Sequence, residues 1–155
     1  MKIAIALAAC FLATSALAQD IRVIDGDTFE MDGEVIRLWG IDAPELDQLC
    51  AREGSAATVE VQAGQLAAVA LASGIGRVTR CETLDTDRFG RTIARCYWGN
   101  GEDLGGQMVR FGWAMDWPEY SNGAYADEQS IAQQEELGIW VSGCIPPWEW
   151  RARNG

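Results

Sequence analysis

The stretch VIDGDTFEMDGEVIRLWGIDAPE, residues 23–45, opens the folded part of this chain. Together with the residues just before it, it predicts three strands, IRVID, TFEM and EVIRLWGI, because β-branched and apolar residues alternate there. Asp32-Gly33 between the last two strands is a strong hairpin signal, and Pro44 ends the third strand. Seven of these residues are acidic, and only Arg37 is basic. Two interpretations are open: a solvated acidic hairpin, or a carboxylate cage for a hard metal ion.

The hairpin can pair in two registers. A type I turn with Gly33 in a left-handed bulge position sets Asp27 opposite Arg37, on one face of the hairpin. A two-residue turn at Asp32-Gly33 sets Asp27 opposite Leu38, so that the carboxylate and the guanidinium point to opposite faces. We favour the first register because it also pairs apolar and β-branched side chains across the hairpin.

The first residues, MKIAIALAACFLATSALA, predict a signal peptide. One lysine precedes an apolar run that is too short for a permanent membrane span, and Ala16-Leu17-Ala18 forms an A-x-A cleavage site. A lipoprotein-type box at Leu7 to Cys10 is the weaker alternative, because the hydrophobic segment before the cysteine would be unusually short. We therefore expect export, secreted or periplasmic, after cleavage near Ala18. Residues 19–155 would then form one domain, since this length suits a single core.

The predicted mature chain is strongly acidic. Removing residues 1–18 removes Lys2, which leaves eleven arginines against twenty-three acidic residues and a net charge of −12. Such a charge argues against nonspecific adherence to nucleic acid, although it permits a local positive site. The chain has no histidine, so no serine or cysteine has a histidine that could activate it as a nucleophile.

Four cysteines remain after cleavage at Ala18, and export makes disulfides the expected state. The segments GRVTRCETL and GRTIARCYW read as two strands joined by the turn DTDRFG. A hairpin centred between Arg88 and Phe89 sets Cys81 opposite Cys96, close enough for a disulfide. Elimination then pairs Cys50 with Cys144. A zinc site is not expected, because there is no histidine and no C-x-x-C pair.

The remaining segments predict helices. We expect one over residues 55–73, interrupted at Gly64, a short one that begins after Asp103, and one in YADEQSIAQQEELG that ends at Gly138. The tail IWVSGCIPPWEWR reads as irregular and aromatic. Three strands, a helix, two strands and then helices predict a five-stranded OB-fold barrel, a β-rich α+β fold with about three flanking helices.

The acidic stretch can also be interpreted chemically. Asp27, Asp42 and a nearby backbone carbonyl suit Ca²⁺, which takes six to eight oxygen ligands. Arg37 could form a simple ion pair, or it could bind a phosphate together with Arg91, which follows the tight DRFG turn. With Glu45 placed to orient or deprotonate a water, these groups suggest metal-assisted phosphodiester hydrolysis.

In these motifs the chain resembles the thermonucleases, the staphylococcal-nuclease-like family. The motifs are IDGDT, IRLWGIDAPE, DRFGR and DLGGQMVRFGWA, in this order and spacing, and the resemblance runs from about Ile21 to Gly138. It implies an OB-fold and Ca²⁺-dependent cleavage of DNA and RNA. It also implies site roles: metal ligation by Asp27, Asp42 and the carbonyl of Ala43, and catalysis by Arg37, Glu45 and Arg91.

The resemblance extends to substrate contacts and has two departures. Arg88 and Phe89 stand where a Lys and a Tyr are common near the substrate phosphate. Trp117 and Tyr120 could stack on bases or pack the helical flank. The best-known family members are basic, whereas this chain is acidic. Exported relatives pair the cysteine after DAPE with one about a dozen residues on, and here Cys144 would replace that partner.

Three functions are compatible with these observations. The first is an exported, monomeric, Ca²⁺-dependent nuclease of low sequence specificity with nucleic acid as its substrate. The second is a non-catalytic OB-fold module that binds an oligonucleotide or oligosaccharide. The third is a structural Ca²⁺ protein, which leaves both site arginines unexplained. The set Arg37, Glu45 and Arg91 favours the first, because a pure binder needs no glutamate beside a phosphate.

Overall fold

A computed structural model describes residues 19–53 and 58–154 of the chain. The predicted signal peptide, residues 1–18, lies outside the described residues, as do the first residues of the predicted helix 55–73. The strands are β1 (Ile21–Val23), β2 (Thr28–Met31), β3 (Glu34–Leu38), β4 (Ile41–Asp42), β5 (Leu49–Glu53), β6 (Thr58–Gln62), β7 (Val78–Thr86), β8 (Thr92–Trp98) and β9 (Met115–Asp116). The helices are α1 (Ala63–Ile75), α2 (Leu104–Arg110), α3 (Pro118–Ser121), α4 (Ala126–Gln134) and α5 (Pro147–Asn154), with a 3₁₀ helix at Gly138–Ser142.

One five-stranded sheet organises the domain. Its strand order is β1-β2-β3-β8-β7, and all neighbours are antiparallel except β3 and β8, which are parallel. The prediction of a β-rich α+β fold is confirmed, and the strand order agrees with three strands, a helix and two strands. Among the described residues no ladder joins β7 back to β1, so closure of the barrel remains a prediction.

The β2–β3 hairpin adopts the register that we did not favour. Thr28 pairs with Arg37 and Phe29 with Ile36, because the turn contains only two residues. Asp32 and Gly33 both have positive φ, +52° and +86°. Such turns match the right-handed twist of the flanking strands, and an Asp-Gly pair tolerates them. The preferred bulged register was therefore wrong.

The prediction of a helix over residues 55–73 is also wrong for its first half. Residues Thr58–Gln62 form β6, antiparallel to β5, and α1 begins only at Ala63. The apolar residues that suggested a helix include two valines that alternate with polar residues, and this alternation is the period of a strand. Helix α1 then packs Leu71 and Ala67 into the main core, where both are fully buried.

The C-terminal tail is more ordered than expected. Instead of an irregular segment, the chain forms the 3₁₀ helix and then α5, which begins at Pro147. The described residues thus contain five α-helices rather than about three, since α3 and α5 were not predicted. None of the helices described is long and apolar enough to cross a membrane.

Two disulfides are formed, as predicted. Cys81 lies directly opposite Cys96 in the β7–β8 ladder, and the two are bonded. Cys50 bonds to Cys144, across a sequence separation of 94 residues. Cys50 belongs to a second, smaller core against which Trp140, Cys144 and Trp148 pack, so this disulfide fastens the C-terminal segment to β5.

Candidate active site

A cavity of about 800 Å³ gathers most of the predicted site residues. It lies between the start of β2, the β3–β4 segment, the β7–β8 turn, α3 and α5. Its lining includes Asp27, Arg37, Ala43, Glu45, Arg88, Phe89, Arg91, Trp117 and Tyr120. Asp42 is not part of the lining, because it is fully buried behind the cavity wall.

Asp27 is the inner carboxylate of the cavity, with only 2% of its surface exposed. Its Oδ1 accepts hydrogen bonds from Arg37 Nη1 at 2.5 Å and from Thr28 Oγ1 at 2.8 Å, and Oδ2 accepts from the backbone N–H of Ala43 at 2.9 Å. Asp27 precedes β2 rather than belonging to it, so the alternation of faces does not apply to it. This explains why Asp27 and Arg37 meet in the register that was expected to separate them.

Arg37 joins the two buried carboxylates. Besides Asp27, its Nη2 donates to Asp42 Oδ1 at 2.9 Å and to the carbonyl of Ile41 at 3.3 Å. Burial of the guanidinium lowers its pKa, but the charges of Asp27 and Asp42 outweigh burial and raise the pKa above its ordinary value. Arg37 is therefore held charged inside the site.

Asp42 is fully buried and paired with two arginines. Arg151 binds it as a fork, with Nη1 to Oδ1 at 3.1 Å and Nη2 to Oδ2 at 2.7 Å. Burial raises the pKa of Asp42, and the hydrogen bond from Arg151 opposes that rise. A bidentate arginine–carboxylate pair is strong and directional, so Arg151 is a structural member of the site.

Glu45 lies at the rim, with about a third of its side chain exposed. Its Oε1 accepts from Arg151 Nη1 at 2.7 Å. The backbone of Glu45 is held against α1 at Gly64, where a Cβ would come within 1.7 Å of the Glu45 carbonyl oxygen. Because residue 64 is a glycine, the backbone of Glu45 can approach α1 this closely.

Arg91 approaches the cavity from the β7–β8 turn. Its Nε donates to Asp87 Oδ2 at 2.7 Å, and its backbone N–H donates to Asp87 Oδ1 at 3.0 Å. Slight burial would raise the pKa of Asp87, but these bonds and one from the N–H of Phe89 outweigh it and lower the pKa. The aspartate thus orients Arg91 while leaving part of its guanidinium free for another anion.

The predicted substrate residues lie at the mouth of the cavity. Phe89 is 70% exposed, and the Arg88 guanidinium lies 4.7 Å from its ring centre. Trp117 contacts Tyr120 edge-on at 4.3 Å between ring centres and stacks on Trp148 at 5.8 Å. Trp117 therefore also packs the helical flank, whereas Tyr120 is exposed.

Arg151 lines the cavity but was missed in the sequence. Arg151 and Trp148 lie three residues apart on α5, which places both on one helix face. The pair Pro146-Pro147 followed by WEWR carried a usable signal, since proline is common at the first position of a helix. Asp25, which reads as a turn residue, also lines the cavity, and burial and the charge of Asp27 raise its pKa to about 6.

The donor set suits a hard cation, but arginines already occupy several of its carboxylate oxygens. Asp27 and Asp42 offer carboxylate oxygens of the kind that Ca²⁺ prefers. Both oxygens of each carboxylate accept hydrogen bonds, chiefly from Arg37 and Arg151. Among the residues described, no three acidic, histidine or cysteine side chains form a group that could hold a metal ion.

Comparison with known proteins shows which family the chain is similar to. Residues 35–142 match the family described as "Staphylococcal nuclease homologue". The chain is 38% identical over 120 residues to the succinoglycan biosynthesis protein ExoI of Rhizobium meliloti (strain 1021), covering 76% of this chain and 61% of that protein. It is 32% identical over 140 residues to an uncharacterized endonuclease of Escherichia coli O157:H7, covering 86% of this chain and 84% of that protein.

A plant relative is matched over a smaller share of its length. It is the probable staphylococcal-like nuclease CAN3 of Oryza sativa subsp. japonica, 30% identical over 118 residues, covering 75% of this chain and 28% of that protein. The five-stranded sheet and the site around Asp27, Arg37 and Asp42 define a β-rich α+β domain with a carboxylate–arginine site. The chain belongs to the staphylococcal nuclease family, which confirms the resemblance seen in its motifs.

Proposed function

We propose that this protein is a nuclease that hydrolyses phosphodiester bonds of DNA, RNA or both with low sequence specificity. The observation that carries the proposal is the convergence of Arg37, Glu45 and Arg91 on one cavity. The relatives named as an endonuclease and a staphylococcal-like nuclease support it.

The proposed roles follow from charge and position. Arg37 and Arg91 would stabilise the extra negative charge that a phosphodiester acquires during attack, because fixed cations in a part-buried site act strongly there. Glu45, on the rim, would orient or deprotonate the attacking water. Arg88 would contact a neighbouring phosphate, and the exposed rings of Phe89 and Tyr120, with Trp117, would stack on bases.

The proposed cofactor is Ca²⁺, held by Asp27, Asp42 and the backbone carbonyl of Ala43. Oxygen donors of this type favour a hard cation. When bound, such an ion supplies Lewis-acid polarisation of the phosphoryl group. Asp42 becomes available to it only when an arginine, most readily Arg151, gives up a hydrogen bond to that carboxylate.

We also propose that the protein is exported as a monomer with a five-stranded OB barrel. Two disulfides support export, because they persist in oxidising compartments. Cleavage after Ala18 predicts a mature chain that begins at Gln19. Mass measurement of the protein recovered from outside the cytoplasm tests this.

The alternative of a non-catalytic binding module is not favoured. Several relatives are named as an endonuclease or as staphylococcal-like nucleases. A module that only bound an oligonucleotide or oligosaccharide would also have no use for a glutamate that shares a cavity with Arg37 and Arg91. Replacement of Glu45 separates the two functions, because only an enzyme depends on it for turnover.

The test is cleavage of single-stranded DNA by oxidised residues 19–155, with Ca²⁺ and then with EDTA. Several salt concentrations are needed, because the acidic surface repels the substrate and salt screens that repulsion. We expect Ca²⁺-dependent cleavage that Glu45→Gln reduces by about 100-fold or more while DNA binding persists. Glu119→Gln, an exposed change of equal charge, should leave cleavage unchanged. Binding without cleavage in the unsubstituted protein would overturn the proposal.

A further inference from the structure

The C-terminal helix α5 places the guanidinium of Arg151 against Asp42, one of the two proposed metal ligands. Arg151 lies 109 residues from Asp42 in sequence, yet its fork spans both oxygens of that carboxylate. The same guanidinium also reaches Glu45, at 2.7 Å. One side chain therefore neutralises a proposed metal ligand and the proposed general base at once.

The hydrogen bonds to Asp42 occupy most of the oxygen lone pairs that a metal ion would need. Asp42 Oδ1 accepts from both Arg37 and Arg151, which uses both of its lone pairs. Oδ2 accepts from Arg151, and Asp42 is fully buried, so the remaining lone pair does not face solvent. A cation that binds Asp42 must therefore displace an arginine N–H group. Arg151 is the partner that solvent reaches more easily, since its side chain is 36% exposed against 13% for Arg37.

Contacts outside the carboxylate cluster anchor α5, while the side chain of Arg151 stays partly exposed. Three contacts hold the helix near the site: the Cys50–Cys144 disulfide, the hydrogen bond from Gln48 Nε2 to the Ile145 carbonyl at 3.0 Å, and the stack of Trp148 on Trp117. The side chain of Arg151 itself keeps about a third of its surface exposed. Such a tether keeps the local concentration of the guanidinium high, while the side chain can still swing toward solvent.

We propose that Arg151 and a divalent cation compete for the Asp42 carboxylate, so that α5 closes the active site until the cation displaces its arginine. The inference rests on the proposed function only in taking Asp42 as a cation ligand. Arg151 would then act as an internal competitor of Ca²⁺ and lower the affinity of the site for that ion.

A second arginine on α5, Arg153, provides a control substitution for Arg151. Arg153 lies two residues on and pairs with Glu149 on the exposed side of α5, at 3.1 Å. Replacing either arginine by glutamine changes the net charge equally, so any general effect of charge on Ca²⁺ binding is common to both variants. Only the change at Arg151 frees Asp42 and Glu45.

The experiment is calorimetric titration of the oxidised protein with Ca²⁺, without nucleic acid. A site that is open about one-tenth of the time binds about tenfold more weakly than one that is always open. We therefore expect Arg151→Gln to lower the Kd for Ca²⁺ about tenfold, and Arg153→Gln to leave it within about twofold. Asp42→Asn should abolish most binding in either background.

A second variant guards against loss of the fold in Arg151→Gln. Arg151→Lys keeps the charge but cannot fork onto Asp42, so it should tighten Ca²⁺ binding in the same direction by a smaller factor. Circular dichroism checks that each variant is folded. Equal Ca²⁺ affinity in the unsubstituted protein and both Arg151 variants would overturn the competition and leave the nuclease proposal intact. Absence of Ca²⁺ binding in every variant would overturn the Ca²⁺ site itself.

Discussion

Gly64 offers the sharpest test of how the fold positions Glu45. The residue is the second of α1, and the helix lies there against the backbone of Glu45 and Leu46. A Cβ on residue 64 would come within 1.7 Å of the Glu45 carbonyl oxygen and 2.7 Å of the Leu46 Cα. Because these atoms belong to the backbone, no side-chain rotation relieves the clash.

The size of the effect follows from this distance. Real Cβ contacts stay above 3.0 Å, so Gly64→Ala must move the Glu45 backbone and α1 apart by about 1.3 Å. Overpacking costs about 1–3 kcal/mol, and alanine returns less than about 1 kcal/mol of helix propensity, so we expect a net loss of about 1–2 kcal/mol in the free energy of unfolding. A displacement of about 1 Å in a catalytic group lowers kcat about 100-fold.

Urea unfolding followed by circular dichroism measures the first effect, and cleavage of single-stranded DNA at saturating substrate measures the second. Gly76→Ala is the matched control, because Gly76 has φ −64° and nothing lies within 4 Å of its Cβ position. That variant should gain up to about 0.5–1 kcal/mol and keep full activity. If Gly64→Ala stays within about 0.5 kcal/mol of the unsubstituted protein and retains its kcat, the argument about the close approach is refuted.

Three further predictions concern the rest of the site and its frame. Replacing Cys81 and Cys96 together by serine opens a loop with a sequence separation of 15 and should lower the free energy of unfolding in urea by about 3 kcal/mol; an unchanged value would contradict it. Arg37→Lys removes a fork that joins two buried carboxylates, so kcat/KM should fall about 100-fold in the cleavage assay, and a loss below threefold would count against its role. Asp87→Asn should lower kcat only about three- to tenfold, because Arg91 loses a charge partner and keeps its backbone bond. Since the pKa of Asp87 is lowered on folding, its stabilisation is present above the ordinary carboxyl pKa of 3.8 and lost as the pH falls through the folded pKa, so unfolding curves of that variant and the unsubstituted protein should converge in acid.

The residues themselves predicted most of the five-stranded sheet. Alternation predicted the strands, and the opposed positions in the β7–β8 hairpin predicted the Cys81–Cys96 bond, because both depend on neighbours close in sequence. The motifs singled out Asp27, Arg37 and Glu45 for the site, and in the structure these three residues line one cavity. The predicted register of the β2–β3 hairpin was wrong. The feature that decides this register, the positive φ of Asp32 and Gly33, is nevertheless a local property of two adjacent residues.

What the tertiary structure alone decided lies where segments distant in sequence meet. The valine-containing segment before α1, Thr58–Gln62, forms a strand because it pairs with β5. Arg151 entered the site because a disulfide from β5 and a tryptophan stack hold α5 over Asp42. Periodicity and turn chemistry describe only local backbone choices, whereas such contacts arise from the packing of whole elements and leave no periodic trace in the chain.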